Sequence, residues 1–197
     1  MDLAALFLTF GAIFLVELPD KTFLATLVLA TKYKPILVWI GVGLAFPVQT
    51  AVAVGLGHAA SLLPQDAVRG ASIVLFLVGA VILVREGRSH QAADDGSEFG
   101  DKATPASGWR AVLASFLVLF AAEWGDLSQL LTISLVARYE APLSVFLGAL
   151  AALLTVSALA VLVGRSLLRV VSLHVLHYLG AGVCLVLATL TTVELVR

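Results

Sequence analysis

The sequence predicts an all-α membrane protein in which six transmembrane helices form two inverted three-helix repeats. Three observations carry that expectation. The chain of 197 residues is 60% hydrophobic and 13% charged, with a mean hydropathy of +1.05. It holds six apolar runs of bilayer length, and an acidic motif occurs once in each half.

A soluble domain of this size could not hide so much apolar surface, because small globules still expose much of their chain. A bilayer supplies the missing apolar solvent. The formal net charge of -1 points to no nucleic-acid partner and no strongly charged peripheral surface. The one cysteine, Cys184, excludes an intramolecular disulfide and a multi-cysteine metal site, and within the run Gly182 to Leu190 it reads as a small apolar filler. The start, Met1-Asp2, has no basic n-region. Its apolar stretch carries Glu17 and Asp20 in place of a small-residue cleavage site, so a secretory signal is not expected.

The six runs cover roughly residues 3–30, 36–57, 67–85, 110–136, 142–163 and 174–195, each near the ~20 residues that a helix needs to cross a bilayer. Short polar punctuation separates most of them, such as Lys32-Tyr33-Lys34-Pro35 and the segment from Arg138 to Pro142. The segment from Glu86 to Gly108 is different. Rich in Gly, Ser, Pro and charge, it reads as a flexible linker. The expected organisation is a first three-helix repeat over residues 1–86, a polar linker over 87–108 and a second repeat over 109–197.

Lys and Arg set the orientation. One side holds eight (Lys32, Lys34, Arg85, Arg88, Lys102, Arg110, Arg165 and Arg169) and the other three (Arg69, Arg138 and Arg197). The linker is therefore expected in the cytoplasm, with both termini outside.

The halves match where they are most polar. Glu17-Leu18-Pro19-Asp20-Lys21-Thr22-Phe23-Leu24-Ala25-Thr26 aligns with Glu123-Trp124-Gly125-Asp126-Leu127-Ser128-Gln129-Leu130-Leu131-Thr132 at one constant offset. The match continues to Lys32-Tyr33 against Arg138-Tyr139. After one added residue it resumes with Gly41 against Gly148 and Gly57 against Gly164. An odd number of spans per half makes the second half enter from the opposite side, the inverted plan of many secondary transporters with midplane sites.

Glu and Asp three apart share one face of a continuous helix, and Glu17 lies about 22 Å along the first span. A carboxylate at the bilayer centre costs roughly 3 kcal/mol, so four cost on the order of 10. Glu17, Asp20, Glu123 and Asp126 must be protonated, paired, hydrated or bound to a cation. Lys21, four residues after Glu17, is one partner, while the second motif has Leu127 there. Four carboxylates and one ammonium leave a negative site that suits a hard divalent cation with oxygen ligands. Thr22, Ser128, Gln129 and Gln49 can add oxygens. Pro19 and Gly125 occupy the same motif position, and either interrupts helix regularity. Pro47 would free the Gly43 carbonyl near Gln49 and Thr50. Protons and the cation compete for the same oxygens, and exclusive occupancy with alternating access is antiport.

The paired motifs resemble the Glu-x-Gly-Asp-[Lys/Arg]-[Ser/Thr] signature of the calcium:cation antiporter-2 family, which includes Golgi and bacterial manganese and calcium transporters. The resemblance covers nearly the whole chain. It implies Mn²⁺ or Ca²⁺ exchanged for protons, with Glu17, Asp20, Glu123 and Asp126 as the metal-site core. Thr22, Ser128 and Gln129 match the polar ends of the motifs. Pro19 and Leu127 depart from the signature, and the second removes a positive charge. The metal is transported cargo; no cofactor is expected. The short N-terminus fits a bacterial plasma membrane better than the Golgi, and a homo-oligomer is compatible with the sequence. Alternatives on the residues alone are a secondary transporter for Na⁺ or a small organic solute, a membrane-embedded metal-dependent lipid phosphatase, and a purely structural membrane protein.

Overall fold

A computed structural model describes residues 1–18, 20–89, 108–170 and 173–196, all of whose regular structure is helical. The helices are α1 (Leu3–Glu17), α2 (Lys21–Lys32), α3 (Pro35–Ala60) and α4 (Gln65–Ser89), then α5 (Trp109–Ala122), α6 (Leu127–Tyr139), α7 (Pro142–Val170) and α8 (Leu173–Val196). Four contain stretches long and apolar enough to cross a membrane: Pro35–Ala60, Gln65–Arg85, Pro142–Leu162 and His177–Val196.

The first and fourth expected spans are not single helices. Each is a pair of shorter ones, with 65° between α1 and α2 and 68° between α5 and α6. Counting each bent pair as one span gives six. At the second break Gly125 has φ +77, a left-handed conformation that glycine adopts without a Cβ clash. Its sequence counterpart Pro19 lies outside the described residues, as does most of the polar linker. α4 continues to Ser89, past the expected repeat boundary at 86.

Local chemistry sets the remaining ends. Asp2 caps α1 by accepting the Ala5 N–H at 3.1 Å, and its own N–H donates to Ser144 Oγ on α7 at 2.9 Å. Pro35 opens α3, where its missing N–H leaves no bond unmade. Glu140, at φ 49, closes α6 before Pro142 starts α7.

In lipid, helices gain little from burying apolar surface against one another, so association rests on close packing at small residues. α1 packs on α7, α3 on α5, α6 and α7, and α4 on α8. The outward faces stay apolar, with Leu44, Val48 and Val52 on α3 and Val74, Leu77, Val78 and Val81 on α4 exposed. Two matching glycines make the tightest approaches. A Cβ on Gly41 would stand 2.4 Å from the Val112 carbonyl oxygen and 2.8 Å from the Ser115 Cβ. A Cβ on Gly148 would stand 2.5 Å from the Leu6 oxygen and 3.1 Å from the Thr9 Cβ. Leu6 and Thr9 are the motif-aligned counterparts of Val112 and Ser115, so each half presents the same contact to the other. Stacked rings repeat the pattern: Phe10–Phe14 at 5.7 Å and Phe116–Phe120 at 5.4 Å.

Gly41→Ala and Gly148→Ala should each lower stability by about 1–3 kcal/mol through overpacking. Gly55→Ala, with open space around its Cβ, should be neutral or stabilising. Thermal melting of the three variants in one detergent checks this.

Candidate metal centre

Each break brings a helix C-terminus and a helix N-terminus to the same depth. Glu17 is the last residue of α1, and Glu123 is the C-cap of α5. Asp20 and Asp126 are the N-caps of α2 and α6, both with extended backbones and no side-chain capping bond. The expectation that Glu and Asp share one helix face is therefore corrected: the break resets the helical phase, and each acid belongs to a different helix end. Asp20 and Asp126 lie at the positive ends of two helix dipoles, while Glu17 and Glu123 lie at the negative ends of two others.

Glu17, Glu123 and Asp126 each place a carboxylate oxygen within 4.8 Å of the others. Glu17 and Glu123 are fully buried, and Asp126 is partly so. Asp20 is not one of these three; its carboxyl interacts with that of Asp126 and stands within electrostatic reach of Glu17 and Glu123. At an effective dielectric constant of about 20, each pair of charges at such a distance repels by roughly 3–4 kcal/mol. Three or four carboxylates cannot all stay ionised here without a cation or protons among them. One divalent ion can meet several of these oxygens at once, since Ca²⁺–oxygen bonds run about 2.3–2.6 Å.

Thr22, fully buried on α2, donates its hydroxyl hydrogen to Glu123 Oε1, so the first half reaches across to an acid of the second. Ser128 is buried at the matching position on α6. The two glutamines brace the second break. Gln49 Nε2 donates to the Phe120 carbonyl in the last turn of α5 at 2.9 Å, and Gln129 Oε1 accepts the Gly125 N–H at 2.9 Å. The Lys21 side chain lies outside the described residues. Trp124 does not wall the centre; it is 59% exposed and leans on Phe120 at 5.4 Å. Sequence reasoning missed the brace made by Gln49, whose only signal was a polar amide in an apolar span. Cys184 is buried in the core.

A family model described as "Divalent cation/proton antiporter GDT1" matches the chain twice, over residues 5–91 and 111–197. The two segments begin at the interval that separates Glu17 from Glu123. A GDT1-like protein of Synechocystis is 33% identical over 137 residues, 64% of this chain and 66% of that protein. Protein PAM71 of Arabidopsis thaliana, chloroplastic, is 29% identical over 208 residues, 95% of this chain and 56% of that protein. A candidate manganese exporter of Vibrio cholerae is 30% identical over 192 residues, 96% of this chain and 90% of that protein. The chain thus spans about three fifths of the length of its chloroplastic relatives. No solved structure matches it.

Gly125→Ala should cost about 1–2 kcal/mol, because the left-handed backbone penalises a Cβ even where space is open. Gly125→Asn should cost less, since asparagine tolerates that region. Melting temperatures of the two variants decide it.

Proposed function

Because the chain belongs to the GDT1 family of divalent cation/proton antiporters, a transporter family and not an enzyme family, we propose that it exchanges Mn²⁺ or Ca²⁺ for protons at the carboxylate centre. The observation that carries this reading is the convergence of Glu17, Glu123 and Asp126 within 4.8 Å at the two breaks. Asp20 shares the site through Asp126. Manganese is favoured as cargo by the name of the Vibrio cholerae relative, while oxygen-only ligation suits both ions.

In the proposed cycle the carboxylates hold either the divalent ion or protons, because both neutralise the same crowded charge. Thr22 orients Glu123 through its hydroxyl. Ser128 is buried at the matching position in the second half, and Lys21 adjusts the charge of the first. The two halves are inverted repeats, with residues 1–86 and 109–197 exchanging roles as the site opens to one face and then the other. The exchange of equivalent contacts at Gly41 and Gly148 supports that arrangement. The excess of Lys and Arg on the linker side supports a cytoplasmic linker with both termini outside, in a bacterial plasma membrane.

Uptake of Mn²⁺ and of Ca²⁺ into proteoliposomes, with and without an imposed pH gradient, tests the reading. Wild type should show gradient-driven uptake, and Glu17→Gln and Glu123→Gln should each lose on the order of tenfold or more. Uptake that ignores the pH gradient would exclude proton exchange.

A further inference from the structure

A threonine inside a helix commonly turns its hydroxyl back to a carbonyl one turn earlier. Several here do so: Thr132 to Ser128 at 2.7 Å, Thr155 to Ala151 at 2.6 Å, and Thr191 to Leu187 at 2.8 Å. Thr26 departs from the pattern. It is wholly buried on α2, and its Oγ1 has no hydrogen-bond partner among the described residues. A buried hydroxyl left unbonded is destabilising, and a side-chain rotation toward the Thr22 carbonyl offers the usual remedy. The polar oxygen is kept available instead.

Its position gives that oxygen a use. Thr26 follows Thr22 by one turn, about 6 Å along α2, and Thr22 already touches Glu123. The two hydroxyls form a line from the carboxylates toward the Lys32 end of the helix. On α6, Ser128 and Thr132 stand at the matching positions toward Arg138, but there the Thr132 hydroxyl is folded onto its own helix. Hard divalent cations take oxygen ligands.

We propose that Thr26 Oγ1 is a transient ligand on the route of the divalent cation between the carboxylate centre and the Lys32 end of α2. The inference rests on the antiporter reading. It adds a residue outside the acidic motif and assigns it to one exit. Thr9 supplies an internal comparison. Its hydroxyl is also buried without a partner, but its Cβ sits at the Gly148 contact, eight residues before Glu17.

Mn²⁺ uptake by proteoliposomes, paired with thermal melting in detergent, should be measured for wild type, Thr26→Val, Thr26→Ser and Thr9→Val. Valine has nearly the volume of threonine and no oxygen. Thr26→Val should melt at or above the wild-type temperature while its uptake slows by about fivefold or more. Thr26→Ser should keep the wild-type rate, and so should Thr9→Val. Wild-type uptake by Thr26→Val overturns the proposal. So does a melting temperature that falls with the rate, or an equal slowing in Thr9→Val. A wild type that moves neither Mn²⁺ nor Ca²⁺ would instead sink the antiporter reading, and this inference with it.

Discussion

Like charges crowded into an apolar medium are the constraint around which this molecule is organised. Carboxylate oxygens of Glu17, Glu123 and Asp126 within 4.8 Å of one another repel strongly where no bulk water screens them. Two continuous helices would offer these groups only their own saturated backbones. Breaking both spans turns the positive ends of α2 and α6 toward the acids and releases helix-end carbonyls at the same depth. The Gln49 amide then occupies one such carbonyl, on Phe120, and the Gln129 amide oxygen takes the exposed Gly125 N–H. The breaks, the glutamines and the Thr22 hydroxyl all answer the same electrostatic demand.

The rest of the bundle holds these ends in register. α1 and α5 carry the glutamates, and both are seated by glycine contacts on helices of the opposite half, α7 and α3. Backbone-to-backbone seating of this kind leaves no room for a side chain at either glycine. α4 and α8 pack extensively on each other and present long apolar faces outward. The clustered carboxylates sit instead at the breaks between the shorter helices.

Much of this was legible in the residues. The membrane class followed from composition, the six apolar runs from their length, of which four are unbroken candidate spans and two are bent pairs, and the paired acids from two motifs at one offset. Pro19 and Gly125 marked where helix regularity would fail, and the structure has Gly125 at positive φ. Three things were not legible. Helical spacing placed Glu17 with Asp20 on one face, but spacing predicts faces only while the helix is continuous, and the bend of 68° between α5 and α6 shows how far that assumption fails. The role of Gln49 depends on a contact between residues 71 positions apart, which no local pattern encodes. The state of each threonine hydroxyl is a rotamer choice, and identical residue types at Thr26 and Thr132 make opposite choices.

The reciprocal glycine contacts have a consequence for how such a chain could have arisen. Gly41 meets Val112 and Ser115, while Gly148 meets their counterparts Leu6 and Thr9. In a two-fold dimer every contact appears twice by symmetry, and these two contacts recur in that manner inside a single polypeptide. A half-length ancestor would already have carried both sides of the joint, paired with a copy of itself. Within one chain the two sides of the joint are free to differ. Lys21 in one half and Leu127 in the other are a difference that no symmetric dimer of identical chains could hold, and one gene can.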